Sequence, residues 1–324
     1  MTVVVTGAAG FVGYHVATAL LSQGESVVGI DIVNDYYDVG LKEARLAHLG
    51  KHKNFSFHRV DIADASAVSA ILAGAGRVRG VIHLAAQAGV RYSLKNPYAY
   101  VHSNLTGQVA MFEAVRALDP MPALVYASSS SVYGGNTKFP FSVADRVDHP
   151  VSLYAATKRG GELLAESYAA VYGMASVGLR FFTVYGPWGR PDMAYFSFTK
   201  AILAGEPIPV FNEGKLERDF TYIDDVVAGV LAAVNLPADP ARPHRIYNLG
   251  NNKPEPLMHF IKTIEQALGR KAMLDFKAMQ PGDVKATAAD IDDSTRDLGF
   301  VPRIGIDEGI PRFVRWYKDY YAIA

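Results

Sequence analysis

Val3-Val4-Val5-Thr6-Gly7-Ala8-Ala9-Gly10-Phe11-Val12-Gly13 reads as a strand, a glycine turn and the opening of a helix. Glycine lets such a turn tighten and lets backbone approach a pyrophosphate, whose charge faces the N–H groups at the helix N-terminus. The spacing is G-x-x-G-x-x-G rather than the commoner G-x-G-x-x-G, and alone it equally describes a turn chosen for packing. Its position between the first strand and the first helix favours a dinucleotide. Asp31 ends the second strand, where a carboxylate accepts hydrogen bonds from the adenosine 2′-hydroxyl and repels a 2′-phosphate, so the expected cofactor is NAD rather than NADP. Asp61 and Ile62 after the third strand would flank the adenine. Leu84, Ala85 and Ala86 after the fourth would pass beneath the phosphates and ribose, small side chains there letting a ligand lie close to backbone.

Outward from the loop, short β-branched runs alternate with amphipathic stretches, the signature of βαβ units and a parallel sheet. Strands are expected at residues 3–6, 27–30, 55–59, 81–84, 124–127 and 177–180, with helices at 12–21, 65–72, 105–118 and 154–172. The strands are nearly all apolar, as when helices cover both faces. After Arg180, Pro187, Gly189, Pro191, Gly205, Pro207 and Pro209 break the chain into short pieces before helical stretches at 223–235, 257–268 and 306–317. The expected architecture is α/β: a doubly wound Rossmann sheet over 1–180 and a smaller mixed α/β substrate-binding lobe over 181–324, the chain free to cross between them. The lobe would cover the carboxyl edge of the sheet, where open α/β sheets bind ligands.

The bulk composition removes several alternatives. Basic and acidic residues balance at 32 each, leaving no surplus charge for a nucleic-acid backbone or an anionic membrane. There is no cysteine, which rules out disulfides, thiolate catalysis and Cys-ligated zinc. Nine histidines stand without a cysteine beside them, no metal is expected, and His83 reads as part of a strand end. No apolar run approaches a membrane span, and the first residues lack the basic leader and apolar stretch of a signal peptide. The expected location is the cytoplasm.

Tyr154 and Lys158 stand four apart at the start of a helical stretch and so project from one face. Such a pair is as often an ordinary surface pair. Here it follows the fifth strand, which ends in Ser128-Ser129-Ser130-Ser131-Val132-Tyr133-Gly134. A phenol acting as a base near neutral pH needs its pKa lowered from about 10 toward 7, about 4 kcal/mol, which one positive charge about 4 Å away supplies at an effective dielectric near 20. Lys158 is the expected source, helped by the cationic nicotinamide ring. A serine hydroxyl, Tyr and Lys together suffice for reversible alcohol oxidation by hydride transfer.

Gly7/Gly10/Gly13, Asp31, Ser129 and Tyr154/Lys158 in this order resemble the extended short-chain dehydrogenase/reductase superfamily, and within it the NAD-dependent epimerases and dehydratases of sugar nucleotides. The stretches Asn34-Asp35-Tyr36-Tyr37-Asp38-Val39, Gln87-Ala88-Gly89-Val90-Arg91-Tyr92-Ser93, Gly186-Pro187-Trp188-Gly189-Arg190-Pro191-Asp192-Met193-Ala194, Arg218-Asp219-Phe220-Thr221-Tyr222-Ile223-Asp224-Asp225 and Gln280-Pro281-Gly282-Asp283 are similar to those of the UDP-glucuronate 4-epimerases. The likeness covers nearly the whole chain. It implies C4 epimerisation of UDP-glucuronate to UDP-galacturonate through a transient 4-keto sugar, with NAD retained and no net redox change. Tyr154 would remove the C4 hydroxyl proton, Lys158 would also bind the nicotinamide ribose, and Ser129 would take the hydroxyl role, with Ser128 and Ser130 as neighbours that leave the assignment open.

The resemblance adds Asn34, Ala88, Asn104, Phe181 and Val184 to the cofactor set, beside Gly7, Gly10, Phe11, Val12 and Gly13. For the UDP-uronate it implies Arg218 on the diphosphate, Gln280 and Asp283 on the nucleotide half, and Arg91, Ser93, Thr183 and Phe211 as further contacts. Arg190 is the candidate for the uronate carboxylate, through a planar bidentate pair. Each arginine read singly would as readily be a surface charge or a structural ion pair. Oxidising C4 of a uronic acid makes a β-keto acid, which loses carbon dioxide readily. Related decarboxylases and dehydratases carry an acidic residue where this chain has Ser130 and Ser131, and its absence favours epimerisation. The alternatives are a UDP-glucose/galactose 4-epimerase, a UDP-glucuronate decarboxylase or, from another class, a non-catalytic NAD sensor. A homodimer is expected by analogy, through helices near 105–118 and 154–172.

Overall fold

The computed structural model describes residues 1–279 and 284–323. Six strands lead the chain: β1 (Thr2–Thr6), β2 (Ser26–Asp31), β3 (Phe55–Arg59), β4 (Val78–His83), β5 (Ala123–Ser129) and β6 (Ser176–Phe181). Six further strands follow: β7 (Thr183–Tyr185), β8 (Pro207–Phe211), β9 (Glu217–Tyr222), β10 (His244–Leu249), β11 (Pro254–Pro256) and β12 (Met273–Lys277). The main sheet runs β3-β2-β1-β4-β5-β6-β10, with every pairing parallel.

Strand alternation builds two cores from β1 alone. Val3 and Val5 face a core shared with Val16 and Leu20 of the helix Phe11–Ser22 and with Val230 of the helix Ile223–Val234. Val4 faces the other, with Val68 and Leu72 of Ala65–Gly74 and Met111 and Phe112 of Gly107–Arg116. All three valines are fully buried. From β1 the sheet continues to β2 on one side and β4 on the other, so the carboxyl ends of these strands open a crevice at the switch point.

The seventh strand, β10, escapes the sequence reading because its polar residues do not look like a buried strand. Two of them, His244 and Asn248, are held by specific partners. His244 Nε2 meets the Tyr126 hydroxyl at 2.8 Å, while fully buried Asn248 accepts from Tyr133 and donates to the carbonyls of Phe141 and Asp290. The helix Ile223–Val234, expected in the smaller lobe, instead packs on Phe11–Ser22 against the main sheet, because its Val226, Val230 and Ala233 complete that core. The expected helix at 105–118 begins earlier, as a π-helical turn, Val101–Thr106, leading into Gly107–Arg116.

β7 follows β6 across Phe182, and β11-β9-β7 and β12-β8 form two small sheets beyond the main one. No described helix is long and apolar enough to cross a membrane.

Candidate functional site

The turn after β1 is fitted together without room for side chains. Gly7 has φ +72°, and a Cβ there would lie 2.9 Å from the Ala85 nitrogen; at Gly13 a Cβ would overlap the Gly7 carbonyl oxygen outright. The Gly7 N–H donates to Ile30 O at 2.7 Å and that of Gly10 to Gly7 O at 2.8 Å, which locks the turn over the end of β2. Thr6 Oγ1 accepts the Ala85 N–H at 3.0 Å and meets His83 Nδ1 at 2.8 Å, tying β1 to β4. Burial pushes the His83 pKa down to about 3, so the ring is a neutral structural partner.

A cleft of about 430 Å³ runs from this turn across the carboxyl ends of the strands. Gly7, Gly10, Phe11, Val12 and Gly13 form its floor, Asp31 and Asn34 one end, and Asp61 and Ile62 one wall. Leu84, Ala85, Ala86 and Ala88 follow from β4, while Phe181, Val184 and Arg190 come from the region beyond β6. Ser128, Ser129, Tyr154 and Lys158 close the other end. Lys42, Tyr36, Tyr37, Gln87, His102 and Met193 also line it, though the sequence reading assigned them no part. They arrive by packing of helices and loops, and only Tyr36, Tyr37, Gln87 and Met193 lay in a stretch singled out beforehand.

Both oxygens of Asp31 are engaged, Oδ2 by the Ala9 N–H at 3.1 Å and Oδ1 by that of Val33 at 2.7 Å. Burial pushes its pKa up, and these donors with the Lys42 charge draw it back. Lys42 is itself fixed by the Asn34 carbonyl and side chain at 2.6 and 2.7 Å.

The strand-end serines separate by role. Ser128 Oγ donates to Glu162 Oε1 at 2.6 Å, within a buried cluster where Arg180 grips the same carboxylate at 2.8 and 2.9 Å. Ser129 lines the cleft and its hydroxyl accepts the Ser131 N–H at 3.2 Å. Ser130 starts a short 3-10 turn and does not line the cleft. The helix Leu153–Tyr172 begins with Ser152 capping the Ala155 N–H at 3.1 Å, which sets Tyr154 in the first turn and Lys158 in the second.

Two further groups bear on the phenol. Burial pushes the Tyr154 pKa up, and the forces drawing it back are the Ser129 hydroxyl and the Arg190 charge. The Lys158 ammonium donates to the Ala127 carbonyl at 3.0 Å, and burial lowers its own pKa to about 8. Arg190, the candidate for the uronate carboxylate, lines the cleft with a partner of its own. Its fork is already paired with Asp192, Nε to Oδ1 at 3.0 Å and Nη2 to Oδ2 at 2.6 Å, and Tyr36 donates to the same carboxylate at 3.0 Å.

The remaining expected residues that the structure describes lie outside the cleft lining. Asn104, in the π-helical turn, is buried, accepting the Gln87 N–H at 2.8 Å and donating to Thr157 at 3.0 Å, so it joins the β4 loop to the Tyr154 helix. Arg91 stacks its guanidinium 5.3 Å from the Phe211 ring, Ser93 is buried with its hydroxyl on Val90 O, and Thr183 starts β7. Arg218 in β9 donates to the carbonyls of Glu217 and Lys285. Gln280 and Asp283 lie outside the described residues. Among the described residues no three His, Asp or Glu side chains gather as a metal would require.

The model of the NAD dependent epimerase/dehydratase family matches residues 3–250. The chain belongs to this family. It is 48% identical to UDP-glucuronate 4-epimerase 4 of Arabidopsis thaliana, over 99% of this chain and 76% of that protein. It is 45% identical to a probable UDP-glucuronate 4-epimerase of Rhizobium meliloti, over 99% and 98%. The crystal structure of UDP-glucuronic acid 4-epimerase from Bacillus cereus, in complex with UDP-glucuronic acid and NAD, superposes with a TM-score of 0.92 at 33% identity, over 99% of this chain and 100% of that one.

The residues present fit the family's dinucleotide. Gly7 and Gly13 are packed so closely on backbone that no Cβ fits, so bare main chain rather than side chains lines the cleft beside the N-terminus of the helix Phe11–Ser22. A carboxylate stands at one end of the cleft and a Tyr–Lys pair at the other.

Proposed function

We propose that this protein is a UDP-glucuronate 4-epimerase, interconverting UDP-glucuronate and UDP-galacturonate through a transient 4-keto sugar with NAD retained. The observation that carries the reading is the convergence of Ser129, Tyr154 and Lys158 on one end of the dinucleotide cleft, in a chain matching enzymes named for that reaction over almost its full length.

The glycine turn would hold the NAD diphosphate, Asp31 the adenosine ribose and Lys158 the nicotinamide ribose. A bound NAD supplies an acceptor for the C4 hydride and a donor that returns it to the opposite face of the sugar. Tyr154 takes the proton of the C4 hydroxyl, and Ser129 hydrogen-bonds the same oxygen. Arg190 favours the phenolate and, through the Nη1 that the Asp192 pair does not use, is the proposed contact for the uronate carboxylate. After the flat 4-keto sugar turns over, Tyr154 gives the proton back. Arg218, Gln280 and Asp283 are the proposed anchors for the UDP half, with Arg91, Ser93, Thr183 and Phe211 toward the sugar.

Epimerisation without decarboxylation is favoured by the surroundings of the keto sugar. The strand end carries Ser130 and Ser131 where an acid would assist the competing reaction. Burial pushes the Asp192 pKa up, but the Arg190 pair and the Tyr36 hydroxyl together bring it below the ordinary value, so the carboxylate is ionised and does not serve as a proton donor. The proposal extends to a cytoplasmic homodimer. Leu163 and Val171 on the helix Leu153–Tyr172 expose apolar side chains, as do Leu94, Tyr98 and Val101 nearby in sequence to one another.

The test is to incubate purified protein with UDP-glucuronate, without added reductant, and follow the sugar by proton NMR. UDP-galacturonate supports the reading. UDP-xylose, or no reaction while UDP-glucose is epimerised, overturns it.

A further inference from the structure

The turn that carries Arg190 into the cleft has its carbonyls gripped from the other side of the molecule. His15 Nε2 lies 2.9 Å from Pro187 O. Arg45 Nη2 donates to Trp188 O at 2.5 Å and to Gly189 O at 3.1 Å. Three consecutive carbonyls are thus held by two basic side chains, one from the helix Phe11–Ser22 and one from Val39–Leu49. The held turn is not a relaxed one: Trp188 has φ +59°, a region a tryptophan rarely adopts, and a Cβ on Gly189 would overlap the Tyr195 hydroxyl.

Arg45 reaches further. Its Nη1 donates to Ala9 O, inside the glycine turn, and to the Tyr37 hydroxyl, both at 2.8 Å. The side chain is fully buried, its four acceptors are all neutral, and its Nε has no acceptor among the described residues. No carboxylate hydrogen-bonds the guanidinium among the described residues, although Asp31 is near enough to feel its charge, and a buried cation held by neutral acceptors is costly where an apolar side chain could fill the same volume. What an apolar chain lacks is the ability to grip two distant segments at once.

We infer that Arg45 and His15 are positioning residues for the reaction, clamping residues 187–189 so that Arg190 stays in the cleft, with Arg45 also fastening that turn to the dinucleotide loop. The inference rests on the proposed epimerase reading for its kinetic consequence, but the clamp itself is readable without turnover. One charged group therefore braces both halves of the site, while His15 braces one.

The variants are Arg45→Met, Arg45→Lys, His15→Leu and His15→Gln in the full chain. Amide exchange over 186–193 is expected to rise about tenfold or more in Arg45→Met and less in Arg45→Lys. KM for UDP-glucuronate rises in parallel by about tenfold, with a smaller change in kcat. Retained dinucleotide falls in the Arg45 variants and stays at the parental level in the His15 variants. His15→Gln, whose amide still donates, behaves as the parent; His15→Leu raises exchange and KM. Parental exchange and KM in Arg45→Met, even with a lowered Tm, overturn the inference. Should Arg45→Met not fold, the same readouts on Arg45→Lys and His15→Leu decide it, and parental values in both overturn it. A parent protein inactive on UDP-glucuronate refutes the epimerase reading, and the exchange comparison then decides the clamp by itself.

Discussion

Ser128 donates its hydroxyl proton to Glu162, whereas its neighbour Ser129 turns to the cleft that holds Tyr154. Successive residues of a strand face opposite sides of the sheet, so two identical side chains acquire different work. Ser129→Ala should lower kcat by about a hundredfold or more with little change in Tm, as removal of a hydrogen bond to the reacting oxygen does. Ser128→Ala should instead leave the Glu162 carboxylate short of a donor and cost about 1–3 kcal/mol of stability, with kcat changed less. Steady-state kinetics and thermal melts on the two variants check the pair; the reverse pattern would exchange their roles.

The glycine cradle makes a sharper demand. At Gly13 a Cβ collides with backbone rather than with a movable side chain, so the turn must shift to accept it. Gly13→Ala should therefore release dinucleotide, and the cofactor recovered per chain after gel filtration should fall well below that of the parent. Undiminished recovery would show that the diphosphate lies elsewhere.

Such local constraints explain what was legible in the sequence. The glycine turn, Asp31, and the Tyr154/Lys158 pair after the fifth strand are fixed by spacing within one βαβ unit, and their order along the chain was enough to join them to one cleft. Other features depend on partners far away in sequence. β10 is a buried strand only because Tyr126, Tyr133, Phe141 and Asp290 satisfy His244 and Asn248. The Arg190 fork looked available for a carboxylate, and two residues on Asp192 already holds it. Lys158 was expected to bear on Tyr154 from four residues away, and its bond to a carbonyl of β5 comes from a strand the spacing does not mark. Lys42 and His102 reach the cleft by helix packing that no motif marks.

Lys158 gives a pH dependence with two signs. Burial lowers its pKa to about 8, so it is charged below that value and neutral above. If its charge serves the reaction, kcat falls as pH rises through about 8. Stability runs the other way. The folded value lies below the ordinary 10.5, so the unfolded chain binds the proton more readily between the two. The burial penalty is then complete below about 8 and is relieved as pH rises toward 10.5. Lys158→Met should lose turnover while gaining stability at neutral pH, by up to about 3 kcal/mol, and the gain should shrink at pH 10. Melts at pH 7 and pH 10 measure it.

Tyr154→Phe removes the proton acceptor and leaves the glycine turn and Asp31 intact. Turnover should drop by about three orders of magnitude or more, with the cofactor still bound after gel filtration. Near-parental turnover would take Tyr154 out of the mechanism.

The central claim is that the C4 hydride leaves the sugar and returns to it without leaving the protein. UDP-glucuronate carrying deuterium at C4, turned over in ordinary water with excess unlabelled NAD, tests this directly. The account predicts UDP-galacturonate with deuterium retained at C4. Protium at that carbon, or deuterium recovered in the added NAD pool, would contradict it.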